Sequence, residues 1–138
     1  MEIVLVIALI GALGALTVPF YQSFQIITNR QTFSNEFVAS LRRAKLKALS
    51  AENDSNWSVA IGINQKITIF KGSDFQNRDP NFDETFDIPA GVSIESPISQ
   101  LVFSKLSGVP DTSGTVILKD TTGQSQSITI TPQGTVDY

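Results

Sequence analysis

Oxygen-bearing side chains alternate at Asn77, Asp79, Asn81 and Asp83, the spacing with which the start of a calcium-binding loop presents its ligands. The rest of that pattern is missing. Phe82 stands where the sharp turn needs glycine, and Ile88 where a closing glutamate would sit. An ordinary polar surface loop is therefore the preferred reading, with calcium as the alternative. Asp83, Glu84 and Asp87 supply carboxylates for acid–base work, but acids clustered on a polar loop are more often simply solvated. The chain has no histidine and no cysteine. That removes the usual base of a serine triad, the commonest metal ligand, and all thiol and disulfide chemistry. Gly62 and Gly72 lack the strand, glycine-rich turn and helix setting of a phosphate cradle. These residues point to no enzyme and to no cofactor.

One carboxylate stands in an unusual place. Glu2 precedes an uncharged run from Ile3 to Val18, closed by Pro19. As a helix, Ile3 to Val18 would be about 24 Å long, a little short of the roughly 30 Å hydrocarbon core of a bilayer. Phe20 and Tyr21 extend the reach, and aromatic residues are favoured at the membrane–water boundary. The run therefore reads as a membrane-spanning helix over about 3–20. A cleaved secretory signal would open with basic residues, whereas Met1-Glu2 is acidic. The remaining chain is too small and polar to enclose such a helix as a core element. Glu2 suits the positive end of the helix dipole, or awaits a positive partner from another chain. Ala8, Ala12 and Ala15, with Gly11 and Gly14, allow helices to approach closely. The glycines and Pro19 also loosen the helix locally.

An acid, an aliphatic run, a glycine nine residues after the acid and a proline seventeen after it resemble the N-terminus of type IV pilins and pseudopilins. Glu2, Gly11 and Pro19 fall on those positions. The resemblance implies a subunit anchored in the inner membrane, with its head outside the cytoplasm. It implies assembly with other pilin or pseudopilin subunits through the N-terminal helix. Glu2 would there neutralise the N-terminal amine of a neighbour, with Gly14 among the helix contacts. The family also carries a basic leader cut by a prepilin peptidase/methyltransferase. That site would lie three residues upstream of Met1, which makes Met1 an internal residue or the start of a trimmed chain.

Beyond the apolar run, Phe33, Phe37, Leu41, Ala44 and Ala48 recur at three- and four-residue steps, with no glycine or proline from Phe20 to Ala51. This predicts an amphipathic continuation of the same helix, with Asn29, Glu36, Arg43 and Lys47 on the opposite face. Arg42, Arg43, Lys45 and Lys47 read as a solvated cluster that complements the helix C-terminus. Glu52 to Asn56 stops the helix. The period then becomes two. Trp57–Ile63 and Lys66–Lys71 form a predicted hairpin about Asn64-Gln65, and residues 72–83 a polar loop. Strands follow near Thr85–Ile88, Val92–Glu95, Leu101–Leu106, Thr115–Lys119 and Ser125–Thr131, with a short final strand toward Tyr138.

The expected fold is α+β and pilin-like. A long N-terminal helix (residues 1–53, transmembrane in its first half and amphipathic in its second) packs on a small antiparallel β-sheet head (54–138). Leu41 to Lys45, Phe103 with Gly108, Gly114 to Leu118, Gly123 and Ile128 to Gly134 further resemble the H-type minor pseudopilin and FimT-like minor pilin group, which implies two small sheets. Residues 1–53 carry five basic and three acidic residues, and residues 54–138 five basic and ten acidic. An acidic head argues against a grip on DNA phosphates, and only Lys105 and Lys119 are basic beyond residue 80. A structural filament subunit is the preferred reading. A membrane-tethered binding module at a filament tip, for DNA uptake or surface attachment, is the alternative.

Overall fold

The computed structural model describes residues 2–137, with the side chains of residues 15–20, 22 and 23 outside that description. One helix, α1 (Glu2–Leu49), runs through both predicted halves without a break. It stops two residues before Ala51, which turns into the left-handed region at φ 51°. Part of the stop comes from the head: the Leu106 N–H donates to the Ala48 carbonyl at 2.9 Å, satisfying one of the orphan acceptors of the last turn. A short 3-10 turn, Glu52–Asp54, then leads into the strands.

The strands divide between two four-stranded antiparallel sheets, as the subgroup resemblance implied, rather than forming one. β1 (Trp57–Ile63), β2 (Lys66–Lys71), β3 (Glu84–Asp87) and β5 (Gln100–Phe103) make the first, in the order β3-β2-β1-β5. β4 (Val92–Glu95), β6 (Gly114–Asp120), β7 (Ser125–Ile130) and β8 (Val136–Asp137) make the second, in the order β4-β6-β7-β8. The predicted hairpin is present with its register Trp57↔Lys71 to Ile63↔Lys66. Its turn residues Asn64 and Gln65 both have positive φ, as a type I′ turn requires. The expected strand Leu101–Leu106 ends at Phe103, because Leu106 takes φ 68° and Ser104 to Gly108 closes a turn instead.

Both sheets close on the predicted helix stripe. Phe33, Phe37, Leu41, Ala44 and Ala48 are buried together with Val38. They pack with Val59, Ile67, Ile69, Leu101 and Phe103 of the first sheet and Val116, Leu118, Ile128 and Ile130 of the second. The alternation along β6 and β7 turns their apolar side chains to this core. The loop at 72–83 is less passive than its composition implied. Phe75 meets buried Phe70 edge-on at 5.5 Å, and Arg78 lies over the Phe75 ring at 3.7 Å. The loop thus covers the outer face of the first sheet.

Candidate assembly surface

Among the described residues, the head packs on the second half of α1. Ile26 is the first helix residue seen against it, beside Gly91 in the loop before β4. Nearer the N-terminus the described apolar side chains are exposed. Ile3, Val4, Leu5, Val6, Ile7, Leu9, Ile10 and Leu13 are between 54% and 75% exposed. Fully burying eight such side chains is worth roughly 12–24 kcal/mol at about 1.5–3 kcal/mol each. Monomeric soluble proteins rarely expose so large a contiguous apolar surface.

Glu2 opens the helix and is exposed. Gly11 and Gly14 lie on the exposed run, and a Cβ added at either would meet nothing within 4 Å. Pro19 lies within the helix, so the Ala15 carbonyl cannot receive the usual bond from an N–H four residues on. The Pro19 side chain falls outside the described ones. The four residues therefore share one rod but are not gathered into a pocket. Among the described residues, no helix is long and apolar enough to cross a membrane. The expected 3–20 span runs into residues 15–20, whose side chains are not described.

The basic cluster near the helix end is a solvated face only in part: Arg42 and Arg43 are exposed, while Lys45 and Lys47 are half-buried. Lys47, with a side chain 16% exposed, binds Glu52 at 2.9 Å and Glu84 at 3.1 Å. Its ammonium also lies 4.2 Å from the centre of the Trp57 ring. Burial pulls its pKa down, but bonds to the two carboxylates outweigh that and raise it above the ordinary lysine value. Arg43 reaches Glu84 at 3.1 Å, and Lys45 donates to the carbonyls of Gln133 and Gly134 at 2.9 and 3.1 Å. These residues clasp β3 on one flank of the helix and the turn before β8 on the other.

A second clasp lies at the other end of the head and was not anticipated. Arg30 stands 3.5 Å from Asp120, with side chains 12% and 0% exposed. Asp120 lies between the expected strands Thr115–Lys119 and Ser125–Thr131, where a turn must join them. One of its oxygens closes the β6–β7 turn by accepting from the Thr122 hydroxyl and from the N–H groups of Thr122 and Gln124. The Thr122 hydroxyl bond holds this carboxyl below the usual range against the opposing effect of burial, helped by the two N–H groups and Arg30. The available signal was Arg30 itself, the first charge after Glu2.

The loop once weighed for calcium is held by its own side chains. Asp79 accepts from the Asn81 backbone and amide, and Asp83 takes Arg78 at 2.7 Å. Asn77 donates to Asp74. A guanidinium thus occupies the position from which a cation would draw its charge. Among the described residues, no group of three or more acidic side chains is placed to hold a metal.

Comparison with protein-family models found no match, and neither did comparison with curated sequences. Among solved structures the chain is similar to the minor pseudopilin EpsH from the Type 2 Secretion System of Vibrio cholerae. The TM-score is 0.59 at 14% identity, covering 79% of this chain and 94% of that one. The fold is that of a type IV pilin or pseudopilin: a long N-terminal helix laid on antiparallel sheets.

Proposed function

We propose that this chain is a minor structural subunit of a type IV pilus or of a secretion or competence pseudopilus, held first in the inner membrane and then in the filament by α1. The observation that carries this reading is the row of exposed apolar side chains from Ile3 to Leu13, on a helix that extends past its own head. Lipid and a bundle of like helices are the two environments that bury such a rod on all sides. The H-type and FimT-like group is the subgroup favoured by the residues. Glu2 pairs with the N-terminal amine of a neighbouring subunit once a leader has been removed by a prepilin peptidase/methyltransferase. The role is structural, not catalytic, in keeping with a chain that lacks histidine and cysteine.

The test is Glu2→Ala in cells that assemble the filament. Incorporation should fall sharply while the Trp57 emission of the head stays native, since Glu2 touches nothing in the head. Normal incorporation of the variant would remove Glu2 from assembly.

A further inference from the structure

The end of the head that faces the protruding helix is depleted of free charge, although residues 54–138 hold ten acids against five bases. It is built from Pro89, Ala90 and Gly91 and from the turn Thr121 to Gln124, tied together by the Thr121 N–H on the Gly91 carbonyl at 3.1 Å. Gly91 lies against Ile26, and Ala90 and Gly91 border a cleft with Gln25 and Asn29. From Ile3 to Asn29 the helix carries no Asp, Glu, Lys or Arg. The charges at this level are paired, one pair turned inward and one facing water with its Lys66 and Asp87 side chains 46% and 81% exposed. Arg30 and Asp120 are paired and nearly buried, and Lys66 and Asp87 near the hairpin tip pair at 3.2 Å. Tyr21 and Phe24, just below, are 71% and 69% exposed.

We propose that this face rests on the lipid headgroup layer while the subunit is still in the membrane, a reading that depends on the membrane anchoring proposed above. The heights agree. If the hydrocarbon ends near Phe20, Gln25 stands about 7 Å further along the helix. The headgroup layer is about 5–7 Å thick on each side. The head therefore begins where the lipid ends, with no linker between. Tyr21 and Phe24 lie within the layer that favours aromatic rings. An acidic face here would be repelled by an anionic surface, and an exposed charge would resist losing its water. The inward pairing of Arg30 with Asp120 removes both penalties for these two groups, and the exposed Lys66–Asp87 pair adds no net charge to the face.

The absence of cysteine allows a direct test. The full chain is placed in phosphatidylcholine vesicles with one fluorophore-labelled cysteine at a time, replacing Gln124, Asn53 or Leu9. Ala90→Cys serves as a second reporter of the same face should Gln124→Cys lose the native Trp57 emission. Lipids spin-labelled on the headgroup should quench the Gln124 label several-fold more than the Asn53 label at the far end of the head. Equal quenching at these two positions, with the Leu9 label still reached by acyl-chain spin labels, overturns the resting face and leaves the anchor standing. A Leu9 label exposed to water overturns both. Shielding of Gln124 that vanishes when each vesicle holds one chain assigns the face to a second copy and overturns the lipid assignment.

Discussion

Replacing Gly108 by alanine tests how closely the head is seated on the end of α1. Gly108 has φ +61°, a left-handed conformation in which a Cβ costs about 1–2 kcal/mol. That Cβ would stand 2.7 Å from Leu49 Cγ, 2.9 Å from Leu49 Cδ2 and 3.2 Å from Lys45 Cγ. Ordinary carbon contacts are about 3.5–4.0 Å, so something must move. Lys45 is held by the carbonyls of Gln133 and Gly134. Leu49 is part exposed and can turn outward, at about 0.5–1.5 kcal/mol for a distorted rotamer. Alanine also stiffens the unfolded chain, which offsets about 0.4–1 kcal/mol. The net expectation is a destabilisation of about 1–3 kcal/mol. The assay is urea unfolding of the full chain in mild detergent, followed by Trp57, the single tryptophan, whose indole N–H donates to the Glu52 carbonyl beside the helix end. In a Leu49→Ala background the two shortest contacts disappear and the milder one to Lys45 Cγ remains, so Gly108→Ala should then cost about 1–1.5 kcal/mol or less. The same loss in both backgrounds would show that the turn does not press on Leu49 and would refute this seating.

Phe37→Ala should lower stability by about 3–5 kcal/mol in the same assay, because the ring is buried where helix and both sheets meet. The raised Lys47 value means that its contribution is complete below the unfolded lysine value, about 10.4, and is lost as pH rises through the folded one. Lys47→Met should therefore flatten the alkaline arm of the stability profile. Asp120 behaves in the opposite sense: its lowered value gives a contribution present above about pH 3.9 and lost as pH falls through the folded value. Asp120→Asn should remove part of the acid arm, read from the same unfolding curves at stepped pH. A calcium chelator should leave the midpoint unchanged, since Arg78 neutralises Asp83; a clear drop would restore the metal reading of residues 77–83.

Local features of the fold were legible because each has a local cause. The stripe from Phe33 to Ala48 follows the helical period and is buried as that period demands. The hairpin about Asn64-Gln65 follows from alternation and from a turn whose first residue tolerates positive φ. The partition into two sheets was not written in the strands. β3, β4 and β5 have four residues each, yet successive ones belong to alternate sheets, so their pairing is decided by the whole core. Lys47 looked like a surface residue because Glu84 comes from a distant part of the chain and the Trp57 ring reaches it only through the fold. Asp120 likewise looked like turn chemistry alone, since nothing in the Asp-Thr-Thr-Gly string names Arg30. Glu2, Gly11, Gly14 and Pro19 stand out by order and spacing alone, and their part in assembly is a proposal.

The most direct measurement is flotation of the full chain with vesicles, beside a chain that lacks residues 1–25. Strong lipid association by the full chain, its loss on truncation and an unchanged head would bear out a rod that seeks lipid or its own kind. A full chain that stays monomeric in the aqueous fraction, with no detergent and the rod protected by its own head, would contradict it.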